Sequence, residues 1–280
     1  ATALTANNDC DVWEFDFDRK SPVLPTGHEF PTLICIPTTA GTGAETESTA
    51  MITHTDREMK LCVWHMDLKP SLTLLDPEVT VGLPATFTAW TGIDAMVHAI
   101  EAYCVPDFHP MCDGVALEAL ALIGQWLPRA VDEPESIVAR GGMQVCACLG
   151  GVSFLKGLGL VHAISHMVGA EFDTHHGLTN AIVLPAVLRF NAPAISHKLP
   201  AMSRALGLKT TDFEAFDAAI CQMLDRLDIP RSLADIGVPV EAARSIAEKA
   251  HQDAAAATNP READVETIER LVIEAITKGR

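Results

Sequence analysis

Thr91-Gly-Ile-Asp94-Ala-Met-Val-His98-Ala-Ile-Glu101 is the stretch on which the reading of this chain turns. Ala89, Ile93, Met96, Val97 and Ile100 recur at helical spacing, which predicts a helix with an apolar face. Asp94 and His98 lie four apart and so share one side of that helix with Thr91 and Glu101. Farther along, Gly159-Leu-Val-His162-Ala-Ile-Ser-His166-Met-Val-Gly169 repeats the same layout with two imidazoles, and His175-His176-Gly177 follows. One such histidine is more often a packed or surface residue. One carboxylate and up to four imidazoles in apolar surroundings point instead to a borderline divalent cation such as zinc or ferrous iron.

Outward from these segments the chain divides. Before them, short apolar runs predict strands at Leu33-Ile-Cys-Ile36, Thr49-Ala-Met-Ile-Thr53, Lys60-Leu-Cys-Val63 and Leu72-Thr-Leu-Leu75. The first runs into Pro37-Thr-Thr-Ala-Gly41-Thr-Gly43-Ala-Glu45, small residues whose backbone N–H groups can approach an anionic or ribose ligand closely. From Pro84 onward the periodicity is helical. Asp113 is expected to cap a helix through Leu127 that stops near Pro128, and further helices are expected at 136–150, 161–169, 178–190, 197–206, 212–227, 240–251 and 264–277. The pattern is an α/β layer over 1–82 followed by an all-helical domain over 83–280.

With 280 residues, 48% hydrophobic, the chain can bury a sizeable core. A formal charge of -17 argues against nucleic acid or an anionic membrane surface as partner. No apolar run is expected to reach membrane-spanning length. The eight cysteines follow no zinc-finger or secreted-scaffold spacing. Cys146 and Cys148 point roughly 200° apart on a helix, so they do not pair. Reduced thiols in a cytoplasmic protein are the expectation. Ala1-Thr-Ala-Leu-Thr-Ala reads as the tail of a helix, and a glycine-rich phosphate loop is not found ahead of the sheet. The expectation is that the upstream part of the α/β layer lies outside this chain, and that cofactor binding by the chain alone is weak.

Five motifs, in order and correctly spaced over roughly Asp11 to Pro260, resemble the iron-containing (group III) alcohol dehydrogenases. They are Ile36-Pro-Thr-Thr-Ala-Gly-Thr-Gly-Ala-Glu45, Leu74-Leu-Asp-Pro-Glu78, Thr91 through Tyr103, Gly157 through His166, and His176-Gly-Leu-Thr-Asn-Ala181. The resemblance implies a dehydroquinate-synthase-like fold: a Rossmann-type dinucleotide layer, then an all-α metal domain. It implies Asp94, His98, His162 and His176 as ligands of Fe(2+), with Zn(2+) as the alternative. It places Thr38, Thr39 and Thr42 in the cleft for NAD or NADP, with Lys60 reaching the cofactor ribose. The catalytic role beside the nicotinamide falls to His166, which is not a ligand. Where family members often carry Val-Thr, this chain has Thr46-Glu47, an acid that would repel a diphosphate.

The implied activity is hydride transfer between a small alcohol or aldehyde and NAD(P), in a cytoplasmic homodimer. Phe154 and Leu158 are expected to line the substrate pocket. Glu101 is expected beside a ligand or in solvent, His175 likewise, and Asn259-Pro-Arg261 as a structural turn. Histidines 28, 54, 65, 109, 197 and 251 are expected at the surface. Two other readings compete: a catalytically inactive metal-binding module, and a dehydroquinate-synthase-like lyase. The lyase needs basic residues around a phosphorylated substrate, and Arg129, Arg140, Lys156 and Arg189 adjoin no ligand motif.

Overall fold

The computed structural model describes residues 2–6, 9–20, 22–24, 27–57 and 59–280. After a short helix α1 (Thr2–Thr5), the described residues of the first part hold four strands: β1 (Ile34–Cys35), β2 (Thr49–His54), β3 (Met59–Trp64) and β4 (Leu72–Thr73). They pair two by two. β1 runs parallel to β4 with Ile34 opposite Leu72, and β2 runs antiparallel to β3 with Thr49 opposite Trp64. Beneath the β2–β3 hairpin, Leu4, Phe15, Val63 and Leu68 form a small core of their own. His28, His54 and His65 are not surface residues as expected. His54 stacks on Trp13 at 4.4 Å between ring centroids, and Phe30 meets both His28 and His65 at 4.9 Å. Imidazoles here pack with aromatic rings, a partner that spacing along the chain cannot reveal.

The helical part is α2 (Ala85–Cys104), α3 (Pro110–Asp132), α4 (Ile137–Ser153), α5 (Leu160–Phe172), α6 (His176–Ile195), α7 (Leu199–Ala205), α8 (Phe213–Arg226), α9 (Ala243–Ala250) and α10 (Val265–Thr277). α2 is buried on nearly every side, with α3, α4 and α6 packed around it. Ile93, Met96, Val97 and Ile100 are almost wholly removed from water, each contributing about 1.5–3 kcal/mol. Arg140 of α4 pins the start of α2, donating to Thr88 Oγ1 at 2.7 Å and to the Leu83 carbonyl at 3.1 Å.

Two helix boundaries differ from expectation. α3 begins at Pro110, because the His109 ring, not Asp113, accepts from the Cys112 N–H. It then continues through Pro128, held by buried Leu120, Ile123, Leu127 and Ala130, and Gly124 stands where the proline ring presses on the preceding turn. α6 starts at His176 and passes Pro185 and Pro193, since its central turns are buried throughout. The segments Ile137–Lys156 and His176–Ile195 are also long and apolar enough to cross a membrane, contrary to the sequence reading. In His176–Ile195, 72% of the apolar window is buried inside the protein.

Candidate metal centre

Asp94 and His98 face outward from α2 on one side, His162 from the first turn of α5, and His176 from the first residue of α6. Asp94 Oδ1 lies 3.9 Å from His98 Nε2, 3.8 Å from His162 Nε2 and 3.5 Å from His176 Nε2. One donor atom from each of the four falls within 4.8 Å of the others. Tetrahedral ligation at about 2.0–2.2 Å sets donors roughly 3.3–3.6 Å apart, so the three Asp94–histidine distances lie within a few tenths of an ångström of a closed set, and the wider pairs would contract by up to roughly an ångström.

The convergence has local causes. A Cβ at Gly177 would collide with the Trp90 carbonyl and lie 3.1 Å from the Asp94 Cβ, so only glycine lets the start of α6 touch α2. α5 starts at Gly159 without a side-chain cap of its own. Instead Glu101 of α2 accepts from Val161 N at 2.7 Å and His162 N at 3.4 Å, and Asn259 Oδ1 accepts from Leu160 N at 3.2 Å. A carboxylate at a helix N-terminus satisfies orphan donors and complements the dipole. Glu101 Oε2 also lies 2.6 Å from His162 Nδ1, and Ser165 Oγ lies 3.1 Å from His176 Nδ1. These partners orient the rings and leave each Nε2 for the centre.

Electrostatics agrees with the chemistry of a cation site. Burial pushes the imidazoles of His98 and His162 below their ordinary range, His162 strongly, and brings His176 down to about 3. Burial thus favours their neutral form, in which a ring nitrogen offers a free lone pair. Burial would raise the Asp94 carboxyl, but the flanking imidazoles and the Asn180 N–H outweigh it and hold it below the usual value. Burial lifts Glu101 to about 8 against the opposing pull of the α5 N–H groups. The donor set thus fits a divalent ion: one anionic oxygen and three imidazole nitrogens, with Asp94, His98 and His162 buried and His176 partly so.

His166 lies beside the set without joining it. Its ring stacks on His176 at 5.4 Å between centroids, while Nδ1 is 2.8 Å from Asp253 Oδ2. Asp253 Oδ1 in turn accepts from Ala255 N at 2.8 Å, so the carboxylate itself is fixed. Phe154 leans against the His98 ring at 4.9 Å. His175 is neither solvated nor a ligand: it caps α6 by accepting from Leu178 N, against the rings of Phe87 and Trp90. Glu101, read from sequence as a neighbour of a ligand or a solvated acid, is buried and bonded to His162. Asn259 is more than a turn residue, since it also joins Asn191 through two side-chain bonds of 2.9 and 3.0 Å.

The other predicted residues approach from different elements. Thr38 and Thr42 are exposed and Thr39 half-buried in the turn after β1. That turn reaches α4 at Gly43, where φ is +62° and a Cβ would lie 2.5 Å from the Ala147 carbonyl oxygen. Lys60, on β3, extends toward Gly169 of α5, with burial lowering its ammonium against the favourable charge of Asp173. Glu47 is buried, which pushes its carboxyl up and weakens the repulsion expected of it, with Lys69 opposing that shift. Sequence reasoning missed Asn180, Ser165 and Asp253 as partners of the centre. Asn180 stands four residues after His176 and could have been found by helical spacing; Asp253, 87 residues from His166, leaves no such signal.

Comparison with known proteins places this geometry. Residues 88–276 match the profile described as Fe-containing alcohol dehydrogenase family, C-terminal, and residues 1–77 match that of iron-containing alcohol dehydrogenase. The chain is 38% identical to a probable alcohol dehydrogenase, EutG, of Escherichia coli (strain K12), over 98% of this chain and 68% of that protein. It is 36% identical to an NAD-dependent methanol dehydrogenase of Bacillus methanolicus, over 92% of this chain and 68% of that protein. The EutG counterpart of Salmonella typhimurium is 39% identical, and the chain spans 59% of its length. Among solved structures, a 1,3-propanediol oxidoreductase superposes with a TM-score of 0.91 at 32% identity, over 98% of this chain and 72% of that one.

Proposed function

The chain belongs to the iron-containing alcohol dehydrogenase family, a class of metal-dependent alcohol oxidoreductases, and from that premise we propose that Asp94, His98, His162 and His176 hold one divalent ion beside which a small alcohol or aldehyde exchanges hydride with NAD or NADP. Iron is the proposed ion and zinc the alternative. The observation that carries the proposal is the meeting of one buried carboxylate with three neutral imidazoles, their donor atoms within 4.8 Å. A cation bound there would serve as a Lewis acid toward the substrate oxygen.

The chain's own residues do the rest. Glu101 and Ser165 hold His162 and His176 in the tautomer that directs Nε2 inward. Asp253 does the same for His166, which is thereby placed to take the alcohol proton toward solvent or return it. Phe154 covers His98 and keeps that side of the centre dry. Thr38, Thr39 and Thr42, on a turn whose glycines allow close approach, and Lys60 from β3 are proposed to contact the cofactor. The division proposed is a dinucleotide-binding part over 1–82 and a metal and substrate part over 83–280, supported by β4 ending at Thr73 and α2 starting at Ala85. The exposed apolar residues Ile34, Ile36, Leu72 and Leu74 support a homodimer, and the buried thiols Cys104, Cys112 and Cys146, which form no disulfide, support a cytoplasmic location.

The lyase reading loses its basic residues. Arg129 pairs with Glu133, Arg140 caps the start of α2, Lys156 pairs with Asp113 and Arg189 with Glu274. The test is metal analysis of the wild-type, His162→Ala and His176→Ala proteins, combined with NAD- and NADP-linked oxidation of primary alcohols from methanol to butanol. Full metal content in both variants would overturn the ligand assignment.

A further inference from the structure

The Asn180 carboxamide touches three of the four donor atoms. Nδ2 donates to Asp94 Oδ1 at 2.7 Å and lies 3.2 Å from His162 Nε2 and 3.1 Å from His176 Nε2. Asn180 is fully buried, and its Oδ1 has no hydrogen-bond partner among the described residues. The amide is therefore positioned by what its nitrogen does, at the cost of an unsatisfied oxygen.

Which protons the histidines carry follows from the amide. The Asn180 NH2 group can only donate, so the Nε2 atoms of His162 and His176 that it approaches are the acceptors, and the ring protons sit on Nδ1, facing Glu101 and Ser165. An imidazole nitrogen has a single in-plane lone pair. It can accept an amide N–H or bind a cation, but not both. Asp94 Oδ1, with a second lone pair, can serve amide and cation together. His98 is the one donor of the four that the amide does not reach.

We infer that Asn180 is a built-in competitor of the cation: its N–H groups hold the donor set together as a cation would, and must release His162 and His176 when the ion binds. The inference rests on the metal reading above and concerns a positioning residue, not a ligand. Its consequence is that the site is preassembled but its affinity is capped, because one hydrogen bond shared by two nitrogens is lost on each binding event. Removing the amide should raise affinity by about tenfold, the equivalent of one neutral hydrogen bond.

The experiment is a Zn(2+) titration of the full chain against a chromophoric chelator, wild type beside Asn180→Ala, with thermal melting of both proteins after metal stripping. The expected result is about tenfold tighter Zn(2+) binding by the variant and a lower melting temperature without metal. Equal or weaker binding by the variant would overturn the inference, because the amide would then support the bound state. If the variant fails to fold, the Asn180 side-chain N–H resonances of the wild-type protein decide. One of the pair should shift on adding Zn(2+), and two unmoved resonances would overturn the inference. Wild-type protein that takes up no Zn(2+) would instead sink the metal reading itself.

Discussion

Replacing Glu101 with Gln should weaken metal binding by about 10–100-fold while leaving the fold largely in place. One carboxylate here serves three donors: Val161 N, His162 N and His162 Nδ1. A carboxamide has one accepting oxygen. If that oxygen stays on Val161 N, the NH2 group meets His162 Nδ1 and drives the ring to the tautomer protonated at Nε2, which removes a lone pair from the centre. If the amide turns over, the NH2 group faces Val161 N instead. Either way a buried donor is left unsatisfied, costing about 1–3 kcal/mol. That is a sizeable share of a typical 5–15 kcal/mol stability but short of all of it. Loss of such an orienting partner typically weakens metal affinity by about 10–100-fold. The assay is the zinc–chelator competition paired with denaturant unfolding of metal-stripped protein. Glu101→Gln matching wild type in both would refute the reasoning. It would mean that Glu101 works as a neutral acid, the form that burial favours by lifting its carboxyl to about 8.

Other outcomes follow from the same geometry. Gly177→Ala, whose methyl would meet the Trp90 carbonyl, should cost about 1–3 kcal/mol and push His176 from Asp94, seen as metal content below half of wild type. Asp253→Asn should lower turnover about tenfold with metal content unchanged, because only His166 loses its orientation; parallel loss of metal would assign Asp253 a purely structural part. Protons compete with the ion only once they can reach the imidazoles. Burial depresses all three, His176 to about 3, so Zn(2+) affinity should fall less as pH drops from 7 to 5 than at a solvated site. A solvated trio near 6.5 would lose affinity steeply across the same range, and chelator competition at both values separates the two cases.

The sequence by itself determined the helices that carry the centre. Spacing of four between Asp94 and His98 fixes their shared face wherever the helix lies, and the apolar residues around them require burial. The motifs from Thr91 to Glu101 and from His176 to Ala181 therefore spoke for the family before any coordinates did. Helix ends were less legible: α3 begins at a histidine ring cap and passes a proline, since packing of its apolar face outweighs the lost hydrogen bond. Tertiary structure alone decided which partner stands behind each of these side chains. Glu101 reaches His162 across 61 residues, Asp253 reaches His166 across 87, and Asn180 reaches Asp94 across 86. Such pairs have no periodicity to betray them, because they are set by how separate helices dock. That docking depends on close contacts such as Gly177 against Trp90, where the absence of a side chain is what matters.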